Sequence, residues 1–139
     1  MALDPTLAGR TFAPTMAYTV SREKLAEFTT AIGAEPIVED GTEIAPLTFP
    51  IVVAFQAMTA LMSDPEVGIE LHRVVHGDQR FEQTRPARVG DRLSATLTVD
   101  SLRTVAGMDM VATRTEVTTV DGDHVATAYA TLVHRGGGQ

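Results

Sequence analysis

At 139 residues the chain has the length of one compact domain, and 44% hydrophobic against 21% charged residues is enough to form a core. There is no cysteine, which excludes disulfides, thiolate metal sites and a cysteine nucleophile. Eleven Lys and Arg against 18 Asp and Glu leave a net charge of −7, and no local basic cluster offsets it, so nucleic acid is excluded as a partner. The opening Met1-Ala2-Leu3-Asp4-Pro5 lacks the basic and apolar regions of a secretion signal. The longest apolar stretch, Phe49 to Met62, is too short for a membrane span and contains Pro50 and Gln56. The expected location is the cytoplasm.

The first predicted element is a short extended segment, Met16 to Val20, after a loop holding Pro5, Gly9 and Pro14. Ser21 reads as a helix N-cap, with Glu23 in the first turn where the helix dipole favours an anion. Leu25, Phe28 and Ile32 recur at helical spacing, which predicts a one-faced helix over 22–32 stopped by Gly33. Residues 34–47, with Pro36, Gly41, Pro46 and the acids Glu35, Glu39, Asp40 and Glu43, read as a connecting loop. Thr48 or Phe49 then caps a second helix with Pro50 in its first turn. Ile51, Val52, Val53, Phe55, Met58, Leu61 and Met62 surround nearly its whole circumference, so it is expected to be enclosed on all sides until Ser63-Asp64-Pro65 ends it.

After residue 69 the period changes to that of strands. Arg92 to Asp100 alternates cleanly, with Leu93, Ala95, Leu97 and Val99 on one face. Segments 70–85, 108–120 and 124–134 share its Val and Thr content. Pro86 to Gly90, Ala106-Gly107 and Asp121-Gly122 separate them, the last as a two-residue hairpin signal. In the final strand Ala126, Ala128 and Ala130 form one face, small enough for a helix to lie close. The order is a strand, a helix, a buried helix and then strands joined by short turns. An antiparallel sheet with one wet face needs the other covered, and the 50–62 helix is the element apolar enough to cover it. That is an α+β domain, a curved antiparallel sheet wrapped around a central helix: the hot-dog arrangement. It is expected to fill residues 1–135, leaving Gly136-Gly137-Gly138-Gln139 as a flexible tail.

The histidines are His72, His76, His124 and His134. His124, beside a turn, and His134, near the end, are expected in solvent. His72 and His76 are placed on one strand face with Asp78 beyond them. His76 and Asp78 then form a candidate base and orienter, with a hydrogen-bonded interface strand as the structural alternative. Their spacing suits no shared metal ion, and none is expected. The acidic loop reads as a solvated surface. The start of the second helix offers the backbone N–H groups around Phe49 to Val52 to a developing oxyanion. Met58, Met62, Met108 and Met110 are candidates for an acyl pocket or for core filling. There is no P-loop, dinucleotide fingerprint or nucleophile elbow, and no cofactor is expected.

Val74-Val75-His76-Gly77-Asp78-Gln79-Arg80-Phe81, with Arg85-Pro86 and Val89-Gly90-Asp91-Arg92-Leu93, resembles the MaoC-like dehydratases. More closely, it is similar to the N-terminal, fatty-acid-synthase-type dehydratase domains of actinobacteria, which include small hot-dog subunits that pair with a catalytic subunit. Leu7-Ala8-Gly9-Arg10 through Ser21-Arg22-Glu23-Lys24, and Ala45-Pro46-Leu47-Thr48-Phe49, fit the same group, so the resemblance covers nearly the whole chain. Catalytic members of the superfamily carry an Asp and a His in a Gly-Asp-x-Asn-Pro-x-His type motif after the first helix. Here that run is Gly33-Ala34-Glu35-Pro36-Ile37-Val38. Ala34 stands at the Asp position and Val38 near the His position, and neither side chain transfers a proton.

The resemblance therefore implies a non-catalytic subunit of an (R)-specific 3-hydroxyacyl-thioester dehydratase, acting on acyl-ACP or acyl-CoA with a second hot-dog subunit that supplies the Asp and His. The residues expected against the acyl thioester are Phe49, Ile51, Val52, Phe55, His76 and Gln79. The competing expectations are a homodimeric acyl-thioester-binding protein without turnover, and a homodimeric hydratase or thioesterase using His76 and Asp78.

Overall fold

The computed structural model describes residues 3–135, and the tail expected to be flexible lies outside them. After a 3-10 turn at Pro5–Leu7 come β1 (Tyr18–Thr19), α1 (Arg22–Ala31), β2 (Ile37–Glu39), β3 (Thr42–Ile44) and α2 (Ile51–Ser63). A second 3-10 turn, Leu71–Arg73, leads into β4 (Val74–Gln83), β5 (Arg92–Val105), β6 (Met108–Thr119) and β7 (His124–Arg135). The main sheet is antiparallel in the order β1-β5-β6-β7-β4, and β2 and β3 form a separate hairpin. The loop expected over 34–47 is thus partly this hairpin, turned at Asp40-Gly41, where both residues have positive φ. Its strands are too short to show alternation.

Local chemistry explains the helix limits. Ser21 Oγ accepts from Lys24 N at 3.0 Å, which caps α1. At the other end Gly33 N donates to Thr30 O and Ala34 N to Thr29 O, the paired bonds of a Schellman motif, with Gly33 at φ +71. Leu25 and Thr29 are buried, whereas Ile32 sits at the cap and is exposed. The cap of α2 is Pro50 and not Thr48 or Phe49, and no side chain bonds to it.

The inner face of the sheet carries Leu93, Ala95, Leu97 and Val99 from β5 and Val111 and Val117 from β6, all fully buried. Ala126, Ala128, Ala130 and Leu132 of β7 continue it. Helix α2 lies mainly over β5 and β6 and sends Val53, Ala54, Ala57, Met58 and Leu61 into this core. It is not enclosed all round: Phe55, Gln56, Thr59 and Ala60 are exposed and Val52 and Met62 half-buried, so among the described residues the side carrying Phe55 lacks cover. Met108 and Met110 alternate with buried Asp109 and Val111, which puts them on the outer face, away from α2 and from any acyl pocket beside it.

The β5–β6 turn has positive φ at both Ala106 and Gly107, the type I′ geometry that matches strand twist. At Asp121-Gly122 the chain turns as expected, but Thr119 N bonds to Asp123 O, so the loop is longer than two residues. Between β4 and β5, Arg85 grips Asp91 with two bonds of 2.9 and 3.2 Å while Asp91 also accepts from Arg88 N. That bidentate pair is what the Arg85-Pro86 and Gly90-Asp91 elements of the sequence motif build.

The two sheet edges differ. Gly9, Phe12 and Thr15 donate backbone N–H groups to Val99, Leu97 and Ala95, so the N-terminal segment covers the edge of β5 beyond β1. The opposite edge is β4, which pairs with β7 on one side and, among the described residues, with no strand on the other. A free ten-residue edge is a template for a further strand.

Candidate functional site

The site candidates lie on the open edge strand and on the uncovered face of α2. Register decides which side chains meet. His76 pairs with Leu132 and Gln79 with Ala130, both inward-facing residues, so His76 and Gln79 share the inner face of β4. Asp78 pairs with Thr131 and faces outward, because the register shifts between His76 and Asp78. Gly77 is the extra residue, and this bulge separates the proposed base from its proposed orienter. What His76 contacts is Gln79, with Nε2 3.0 Å from Oε1. His72 is not on the strand at all but in the preceding 3-10 turn. Asp78 instead borders an outer-face groove of about 440 Å³ with Arg80, Asp100, Tyr129 and Thr131.

The residues expected against an acyl chain divide in two. Ile51 and Val52 are half-buried and Phe55 is 47% exposed, so they present an apolar surface. Phe49 is fully enclosed, stacked edge-to-face on Phe28 at 5.3 Å between ring centres. It supports the wall from behind and has no free surface of its own.

The oxyanion reading of the helix start does not hold. Phe49 N donates to Pro46 O, Ile51 N to Thr48 O and Val52 N to Phe49 O, while Pro50 has no N–H. Successive tight turns before α2 consume the amides that a simple helix would leave free. By the resemblance, Ala34 and Val38 stand at or near the superfamily's acid and base positions. Ala34 is half-buried behind α1, and Val38, in β2, is 67% exposed. The nearby carboxylates Glu35, Glu39, Asp40 and Glu43 are exposed or half-buried, as a solvated surface requires.

Two polar clusters escaped the sequence reading. On the outer face His124 is not simply solvated: Thr84 Oγ1 lies 2.6 Å from its Nδ1, and Glu116 Oε1 2.9 Å from its Nε2. Burial pulls the Glu116 carboxyl upward, but hydrogen bonds from Thr127, His124 and Arg114 outweigh it and hold the group below its ordinary value. The line Thr84–His124–Glu116 has the spacing of a nucleophile relay. However, the Thr84 and Arg85 amides both donate to Val125 O, so neither serves a developing oxyanion. The second cluster is internal. His134, expected in solvent, is 1% exposed and stands opposite Asp109, which is equally buried. Asp109 accepts from Leu3 N at 2.9 Å and from Thr104 Oγ1 at 2.6 Å. Strand alternation already placed Asp109 and His134 in line with Val111 and Leu132, a signal outweighed by their polarity and position.

Comparison with known proteins decides the family. The model of the FAS1-like dehydratase domain region matches residues 6–128. The chain belongs to this family. It is 43% identical to a UPF0336 protein of Streptomyces avermitilis over 97% of both chains. Among solved structures it is similar to a chain of the C-terminally truncated HadBC (3R-hydroxyacyl-ACP dehydratase) complex of Mycobacterium tuberculosis, with TM-score 0.80, 30% identity and coverage of 91% of this chain and 96% of that one. A MaoC-like dehydratase also aligns with TM-score 0.80 and 26% identity, over 94% of this chain and 42% of the larger one. The chain is therefore a hot-dog protein related to the hydroxyacyl dehydratases and hydratases. Among the described residues no helix is long and apolar enough to cross a membrane.

Proposed function

We propose that this FAS1-like dehydratase domain is the non-catalytic subunit of an (R)-specific 3-hydroxyacyl-thioester dehydratase. Its partner is a second hot-dog subunit that supplies the acid and base. What supports this reading is a motif run without acid or base side chains at the expected positions, together with an open strand edge. By the resemblance Ala34 and Val38 stand at or near the Asp and His positions, while among the described residues β4 has no strand beyond it and α2 leaves Phe55 exposed between half-buried Val52 and Met62.

Dehydration removes a C2 proton and protonates the departing hydroxyl, and neither Ala34 nor Val38 can perform either step. This chain's part is to bind and to exclude water. Ile51, Val52 and Phe55 form an apolar wall for the acyl chain, and His76, oriented by Gln79, presents a polar group at the seam. The helix-start amides of α2 are spent, so stabilisation of the thioester enolate also falls to the partner subunit.

The test is to express the chain alone and together with a catalytic hot-dog subunit, and to assay hydration of an enoyl thioester on ACP and on CoA. The expected result is no turnover alone and turnover in the assembled heterodimer. Full activity of the pure chain overturns the proposal. Acyl-thioester binding by a homodimer that ignores the partner indicates the stand-alone binding protein instead.

A further inference from the structure

We propose that His134 is an acid-released clasp, whose protonation unfastens the segment that carries the chain from α2 into the edge strand β4. The ring Nε2 lies 3.1 Å from the backbone nitrogen of Glu70. A peptide N–H can only donate, so Nε2 holds the lone pair and the ring proton sits on Nδ1. Nδ1 is itself buried and has no hydrogen-bond partner among the described residues. One ring nitrogen therefore fastens the fold, and it is the one that protonation changes.

The place of the clasp gives it leverage. Glu70 immediately precedes the 3-10 turn Leu71–Arg73, and β4 starts at Val74, whose register partner is His134 itself. The Glu70 bond thus ties the α2–β4 connection to β7 where the edge strand begins. A proton added at Nε2 sets two N–H donors against each other at 3.1 Å and puts a charge where water is scarce. Among the described residues the charged groups around the ring are Asp109 across the strand pair and Glu70 and Arg73 on the connection. Asp109 attracts the new charge, but its oxygens already serve Leu3 N and Thr104 Oγ1. Nothing it does restores an acceptor to the Glu70 amide. The repulsion is relieved by withdrawal of the connection. Burial keeps the ring's proton affinity below that of a free histidine, against the pull of Asp109 and Glu70, so the clasp is closed at neutral pH.

The experiment is hydrogen exchange of the Glu70 amide in the full chain between about pH 7.5 and about pH 5, expressed as protection relative to the unstructured rate. It is run on the wild type and on His134→Gln, whose carbonyl oxygen accepts a hydrogen bond and does not titrate. In the wild type, protection should fall by roughly tenfold or more across this range, and in His134→Gln it should stay flat. The ring nitrogen shifts of the wild type provide a second readout that needs no variant. They should show the Nδ1–H tautomer at neutral pH and titrate together with the Glu70 amide. A flat wild-type profile, an equal fall in His134→Gln, or an Nε2–H tautomer at neutral pH overturns the clasp. None of these readouts depends on the dehydratase assignment.

Discussion

His76→Ala separates the roles open to the residue on the inner face of the edge strand. In the single chain the His76–Gln79 bond of 3.0 Å is exposed, so water replaces it at little cost. Folding stability should change by about 0.5 kcal/mol or less, the usual range for a surface substitution. If β4 pairs with a partner strand, the same bond is buried in the complex. Removing one member then strands Gln79 there, at about 1–3 kcal/mol, or about 5- to 150-fold in the dimer Kd. Thermal melts of the isolated chain and sedimentation of the mixture measure the two quantities, and turnover is read on the same samples. The expected pattern is an unchanged melting temperature, weaker assembly, and activity that falls in step with the assembled fraction. An intact dimer with turnover reduced roughly 10²–10⁴-fold makes His76 a general base and refutes the reasoning. An equally large loss of melting temperature refutes the assignment of the residue to the seam.

Phe49→Ala should destabilise the chain by about 3–5 kcal/mol in denaturant titration, because an enclosed ring is removed from beneath α2 and Phe28 loses its edge-to-face partner. Asp91→Ala should cost about 1.5–3 kcal/mol by the same titration, since it removes the acceptor of Arg85, a half-buried charge, and of Arg88 N. Gly77→Ala puts a Cβ 3.2 Å from Thr131 O, a backbone atom that cannot swing aside, and should lower stability by about 1 kcal/mol in thermal melts. For Glu116 the folded-state affinity for protons is below the unfolded one, so its contribution is present above its ordinary value of 4.5 and is lost as the pH falls through the depressed folded value. Glu116→Gln should therefore flatten the acid limb of the stability-against-pH curve. For His134 the unfolded chain also takes up the proton first, so stability should erode as the pH falls below the ordinary value of 6.5, and His134→Gln should remove that slope.

Much of the fold is written in local signals that act within a few residues. Ser21 and Gly33 delimit α1, the alternation Leu93, Ala95, Leu97, Val99 selects the inner face of β5, and Ala106-Gly107 turns the chain into β6. That Ala34 and Val38 transfer no proton is likewise a property of residue type, and no folding could change it. Hydrophobic periodicity reports what a segment needs buried, which is why the pattern of α2 predicts a central helix. It does not report whether every side finds cover, and Phe55 stays exposed among the described residues. Tertiary structure alone decided the rest. A single-residue bulge at Gly77 puts His76 and Asp78 on opposite faces, since side chains alternate and one extra residue inverts the count. Turns before α2 consume amides that a sequence must assume free, and cross-strand register buries His134 against Asp109 despite their polarity. Those outcomes depend on pairings between residues distant in the chain, and spacing along one segment carries no record of them.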